Sequence, residues 1–285
     1  MLLNMKDLLA VANEHKFAVP AFNFGDYNML NGVISASVEK NAPVIIALHP
    51  NELRHLGGAV MRAVLDICFH SPIPTCIHLD HGANFADVIY AIQCGFTSVM
   101  IDGSALPFDE NIAVCKKAAE AAHAVNVSIE GELGTIGTLD NEAEAGAEII
   151  YTDPDDAKEF VNASGVDTLA IAIGTSHGLY PKGMVPELKL ELLRQIKAKT
   201  PIPLVLHGGS GIPDAQISKA VALGVNKINI SSDIKDAYYR KMREVLRDQR
   251  LREPGSIQLA PLAALKEVAC LKIDLFRASG KASLY

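Results

Sequence analysis

Short apolar runs alternate with longer polar-faced segments along the whole chain. The runs are VPAFN, PVIIAL, TCIHLD, SVMID, VSIEGE, TLAIAIG, PLVLH and KINI. They are rich in Val and Ile and continuous rather than alternating, as strands of a parallel sheet covered on both faces read. Helical periodicity fills the intervals, for example over 28–40, 58–68, 109–125, 155–163, 188–199 and 214–223. Eight strands, each followed by a helix, predict a closed (β/α)₈ TIM barrel occupying residues 1–285 as one domain. A doubly wound sheet usually opens on G-x-G-x-x-G after its first strand, and no such turn stands here. Two segments fall outside the repeat. Residues 254–285 predict a C-terminal helical extension. Residues 133–153 (LGTIGTLDNEAEAGAEIIYTD) predict a long loop after the fifth strand, a length typical of a lid.

Composition narrows the classes of partner. The chain has 285 residues, 49% hydrophobic and 21% charged, with formal net charge −7; this suits a large core and excludes a disordered chain. Without a Lys/Arg run, a nucleic-acid partner is not expected. No apolar stretch is long enough to span a bilayer, and the start, MLLNMKDLLAVANEHK, reads as an amphipathic helix rather than a signal peptide. The five cysteines, at 68, 76, 94, 115 and 270, show no C-x-x-C spacing and predict buried thiols in a cytoplasmic protein.

In such barrels the chemistry sits at the C-terminal ends of the strands. Taken in order, those ends carry Asn23, His49, Asp80 with His81, Asp102, Glu130 with Glu132, His177, His207, and Asn229 with Ser231. The opposite ends show no such enrichment. Three imidazoles, His81, His177 and His207, reach one mouth from different strands, and three such ligands with an open fourth position describe a catalytic zinc site. A lone histidine is more simply a hydrogen-bonded structural residue, the reading given to His15, His55, His70 and His123. Gly208-Gly209-Ser210-Gly211 follows the seventh strand, and Ser231-Ser232-Asp233 opens the helix after the eighth. Those loops are the usual phosphate site of this fold, where backbone N–H groups approach an anion.

Six segments, HLDHG (78–82), EGELG (130–134), YTDP (151–154), AIGTSHGLY (172–180), LHGGSGIP (206–213) and KINISSD (227–233), resemble the class II fructose- and tagatose-bisphosphate aldolases over nearly the whole chain. The resemblance implies zinc held by His81, His177 and His207, with Asp102 and Glu132 as second-metal or orienting residues. It implies Asp80 as the acid/base acting on the aldehyde oxygen. It implies a dihydroxyacetone phosphate site at Gly178, Gly208, Gly209, Ser210, Asn229 and Ser232, with Ser231 close by, and a monovalent cation (Na⁺ or K⁺) near these loops. It puts the base acting at carbon on the loop after strand five, where Glu142, Glu144 and Glu148 compete, Glu142 standing first. A Schiff-base aldolase would instead need a lysine at a strand's C-terminal end, and Lys227 is read as beginning its strand.

The sequence departs from the family around the aldehyde. Ala47-Leu48-His49 stands where relatives carry Gln-x-Ser, Phe24-Gly25-Asp26-Tyr27 replaces an Asn-rich stretch, and loop six reads LYPKGMVPE. His49 and Lys182 therefore enter as aldehyde-side contacts, Asn23 as a further substrate contact, and the expected substrate is a ketose 1-phosphate or a ketose bisphosphate. Arg54, Lys182 and Arg277 are the candidate cations for a second phosphate. Two other functions compete: a zinc-dependent hydrolase on the same barrel, which would not need two phosphate loops, and a non-catalytic sugar-phosphate-binding protein, which would need neither Asp80 nor an acidic lid. The resemblance also implies a homodimer or homotetramer.

Overall fold

A computed structural model of the chain describes residues 1–139, 149–181 and 183–285. In chain order the elements are α1 (Met5–His15), β1 (Val19–Asn23), α2 (Tyr27–Glu39), β2 (Val44–Leu48), α3 (Pro50–Phe69), β3 (Thr75–Gly82), α4 (Phe85–Gln93), β4 (Ser98–Ile101) and α5 (Phe108–His123). There follow β5 (Ser128–Leu133), β6 (Gly137–Thr138), α6 (Pro154–Ser164), β7 (Thr168–Ile171), β8 (Ser176–His177), α7 (Leu190–Lys199) and β9 (Leu204–Leu206). The chain closes with α8 (Asp214–Ala222), β10 (Val225–Ile230), α9 (Ser232–Val245) and α10 (Pro254–Leu275).

Eight of the strands form a closed parallel barrel in the order β1-β10-β9-β7-β5-β4-β3-β2. Their apolar residues are buried on both sides, Val44–Leu48 throughout, because the helices cover the outer face. Local chemistry sets the helix starts: Asn4, Asp26, Asn84 and Asp153 each accept a hydrogen bond from the first turn that follows, satisfying donors that a helix leaves open. The helix expected over 58–68 is longer than its periodicity suggests. It begins at Pro50 and breaks at Gly57 (φ 74°, ψ 156°), a left-handed conformation that glycine tolerates and that interrupts the apolar period.

Both ends of the barrel are built differently. At the N-terminal end α1 packs under β3, β5 and β10, with Met5, Leu8 and Leu9 buried and the Met5 N–H donating to Ser128 Oγ at 2.8 Å. The C-terminal extension also runs to that end. α10 packs on α2 and α9, and beyond it Ala18 N donates to Phe276 O at 3.0 Å and Gly280 N to Lys40 O at 2.8 Å, tying the tail beside the starts of β1 and β2. The C-terminal end of the barrel stays open as the mouth.

The loop after β5 is held at both feet. Thr135 and Ile150 form an antiparallel bridge. Thr152 Oγ1 donates to Leu133 O at 2.5 Å and accepts from Ala172 N at 2.8 Å, so the YTDP segment clasps the ends of β5 and β7. β6 pairs in parallel with β8. Glu142, Glu144, Glu148 and Lys182 lie outside the described residues.

Candidate active site

The third strand brings two functional side chains to the mouth from adjacent positions. Neighbours in a regular strand point to opposite faces. Here His81 has φ 52° and the β3–β4 register shifts between Leu79 and Gly82, so alternation breaks and both Asp80 and His81 line the same cavity. Gly82 allows this, since a Cβ there would collide with the Met100 carbonyl oxygen. Backbone strain of this kind persists where surrounding structure enforces it.

Asp80 is almost fully buried and doubly held: Asn23 Nδ2 donates to Oδ2 and Asn229 Nδ2 to Oδ1, each at 2.8 Å. Burial opposes its ionisation, but His81, His207 and Lys227 outweigh burial and hold the carboxyl well below the usual carboxylate range. The result is an oriented carboxylate facing the cavity.

Beside it stand His81, His177 and His207, with one ring nitrogen of each within 4.8 Å of the others. His81 Nδ1 bonds Asp102 Oδ2 at 2.8 Å, and Asp102 is itself fixed by Ser104 through its N–H and hydroxyl. His207 Nε2 bonds Glu130 Oε1 at 2.8 Å. These bonds leave His81 Nε2 and His207 Nδ1 buried without a hydrogen-bond partner, an arrangement that calls for an explanation in a folded protein. Glu132 Oε2 is likewise unpartnered, lying 3.2 Å from His207 Nδ1. Burial pushes His177 down to about 3, aided by His81 and His207, and leaves it a neutral imidazole. Burial opposes charge on His207 too, yet Glu130 and Glu132 raise it to about 10. The site thus favours positive charge between its carboxylates, which a divalent cation can supply in place of protons. Carboxylate-oriented imidazoles with their second nitrogens free are how proteins hold zinc, and the residues fit that group. Asp102 orients a histidine in this arrangement, and Glu132 is placed to meet an ion directly.

Beneath this layer lies a charged one of which the strand-end reading names only Glu130. Lys227, fully buried, donates to both oxygens of Glu130 at 2.8 and 2.9 Å. His78 Nε2 is 3.3 Å from the same Nζ, and its Nδ1 bonds Ser98 Oγ at 2.8 Å. The expectation that Lys227 begins its strand is corrected: β10 starts at Val225, and its lysine points into the barrel. It remains below the cavity lining, held by Glu130. Period two would have exposed this layer, since His78 and Asp80, Glu130 and Glu132, and Lys227 and Asn229 are i, i+2 pairs that share a face.

The cavity holds about 940 Å³. Asn23, His49, Asp80, His81, Asp102, Glu132, His177, Gly178, Gly208, Ser210, Asn229, Ser231 and Ser232 line it. Gly208 has φ 61°, and a Cβ on it would lie 2.5 Å from Ser176 O, so the loop packs directly on the His177 strand. Ser210 Oγ accepts from Asp233 N at 3.2 Å, and Ser231 makes no side-chain cap bond at the start of α9. A helix N-terminus in the cavity wall that its own N-cap side chain leaves open favours an anion. Some expected contacts differ. Gly209 does not line the cavity: its N–H donates to Asn229 O at 3.1 Å, and a side chain there would meet Ile228, so glycine serves close packing on β10. The His49 ring accepts from Asn51 N at 3.2 Å and caps α3. Arg54 turns to Asp87 and Asn51, while Arg277 follows α10 at the closed end of the barrel, far from the mouth. Sequence reading missed the charged lining residues Glu52 and Lys235, which pair with each other.

A family model described as fructose-bisphosphate aldolase class-II matches residues 3–281. A fructose-bisphosphate aldolase of Staphylococcus epidermidis is 40% identical over 286 residues, covering 99% of both chains. One of Geobacillus stearothermophilus is 38% identical over 287 residues, again covering 99% of both. The crystal structure of the YdjI aldolase from Escherichia coli superposes with TM-score 0.87 at 32% identity, over 99% of this chain and 100% of that one.

Proposed function

The chain belongs to the class II fructose-bisphosphate aldolase family and is a carbon–carbon lyase, and from that premise we propose that it uses zinc to cleave a ketose 1-phosphate reversibly into dihydroxyacetone phosphate and an aldehyde. The observation that carries this reading is the convergence of three imidazoles, two with unpartnered buried nitrogens, beside a doubly anchored Asp80. His81, His177 and His207 would hold the ion, with Glu132 adjoining it. When bound, a divalent cation there supplies Lewis-acid stabilisation for negative charge developing on the ketone oxygen.

The protein's own groups do the rest. Asn23 and Asn229 orient the Asp80 carboxylate, which accepts the proton of the hydroxyl on the carbon that becomes the aldehyde. As that O–H bond breaks, the carbonyl forms and the carbon–carbon bond opens. In condensation Asp80 returns the proton to the aldehyde oxygen. The donor fragment gains its own proton at carbon from a glutamate of the loop after β5, with Glu142, Glu144 and Glu148 as candidates outside the described residues. Gly178, Gly208, Ser210 and Ser232, with the start of α9, form the end of the cavity suited to the donor's phosphate. The test is kcat/KM for fructose 1,6-bisphosphate and tagatose 1,6-bisphosphate against several ketose 1-phosphates. The expected result favours a ketose 1-phosphate. Efficiency with either bisphosphate at or above the ~10⁴ M⁻¹s⁻¹ ordinary for an enzyme's own substrate would overturn the substrate while leaving the lyase intact.

A further inference from the structure

Glu52 and Lys235 face the cavity and take no part in the steps above. Glu52 sits in the first turn of α3, where its Oε2 accepts from His49 N at 3.1 Å. That bond, together with the His49 ring on Asn51 N, fixes the turn following β2. The other oxygen, Oε1, meets Lys235 Nζ at 2.5 Å. Lys235 comes from the first turns of α9, after β10. Because β1 lies between β10 and β2, the pair bridges the rim above Asn23, the asparagine that holds Asp80. Lys235 is the sole Lys or Arg among the described residues lining the cavity. Neither partner is sealed off: their side chains are 18% and 34% accessible.

We infer that the Glu52–Lys235 pair recognises the far end of the aldehyde fragment, and that Glu52 makes it select a neutral, hydroxyl-bearing end over a phosphate. The inference deepens the ketose 1-phosphate reading and rests on it. A sugar hydroxyl is both donor and acceptor, so one hydroxyl can give its proton to Glu52 while accepting from Lys235, and the ion pair survives. A phosphate brings acceptors and negative charge only. It could reach the ammonium only by meeting a carboxylate already there, and like charges set together suppress the wrong ligand. The carboxylate cannot swing clear without giving up its bond to His49 N, which caps α3.

Calorimetry on zinc-loaded protein carrying Asp80→Ala, which slows cleavage, measures affinity for a ketose 1,6-bisphosphate and for the matching ketose 1-phosphate. Glu52→Gln keeps the shape and an acceptor for His49 N while removing the charge; the affinity ratio, bisphosphate over monophosphate, should rise about ten-fold or more. Lys235→Met leaves Glu52 unpaired and should lower the same ratio. Zinc content reports that each variant is folded. Ratios unchanged within about two-fold in both variants, or moved in the same direction by both, would overturn the inference. The unsubstituted pair's own preference tests the ketose 1-phosphate reading separately: a bisphosphate preference sinks that reading whichever way the variants move the ratio.

Discussion

Asp80 adjoins His81, a proposed metal ligand, yet both of its oxygens are engaged by asparagine amides, and the three imidazoles would supply the protein side of the metal site. The role proposed for it is proton transfer, a contribution typically worth roughly 10²–10⁴-fold in rate. Asp80→Ala should therefore retain zinc, lose carbon–carbon cleavage by that order, and preserve proton exchange at dihydroxyacetone phosphate better, since exchange needs the loop base instead. Equal loss of cleavage and exchange would reject the assignment. At this scale the strand ends were legible because polar residues there have no core to enter. Asp80, His81 and His177 line one cavity, and a ring nitrogen of the buried His207 lies within 4.8 Å of those of His81 and His177. The pairing of Lys227 with Glu130 was not legible, because each lies mid-strand, where a charge is tolerated only with a partner from another strand. That partner is 97 residues away, and separation in sequence hides it. The left-handed turn at His81 was equally hidden, though it decides that two consecutive residues serve one site.

Among the elements, the loop after β5 carries the most chemistry still to be assigned. Its feet are fixed by the Thr135–Ile150 bridge and by Thr152, on the side of the mouth where β6 pairs with the His177 strand. A base carried from that position would act on the donor fragment. Replacing Glu142, Glu144 and Glu148 singly by Gln should leave zinc bound, with one variant losing proton exchange at dihydroxyacetone phosphate; deuterium incorporation followed by NMR reads this directly. Exchange intact in all three would move the base elsewhere. Helices whose apolar stripe persists for several turns were readable, α2 and α5 within a residue or two of their ends. α3 conceals its continuity behind Gly57. The role of His49 as a helix cap depends on which way a ring turns, which strand-end position does not determine.

The whole molecule follows from the alternation of apolar runs and helical segments, because covered parallel strands with right-handed crossovers have few ways to close. The barrel order bears this out. Where the extension goes was not readable from its composition: α10 packs along α2 and α9, and the tail beyond it ties to the closed end, which keeps Arg277 out of the cavity. No helix among the described residues is long and apolar enough to cross a membrane. The division of labour is between a closed end that stabilises and an open end whose charged layer, Lys227–Glu130–His207, lies beneath the proposed metal site. The central claim is that a divalent ion on His81, His177 and His207 is indispensable to aldol cleavage. The most direct measurement is triose phosphate formation from the preferred ketose 1-phosphate, by metal-assayed protein before and after chelation and after zinc is returned. The account predicts loss of cleavage with the metal and recovery with zinc, with aldehyde and dihydroxyacetone phosphate formed in equal amounts. Full cleavage by protein shown to be metal-free, or release of inorganic phosphate in place of an aldehyde, would contradict it.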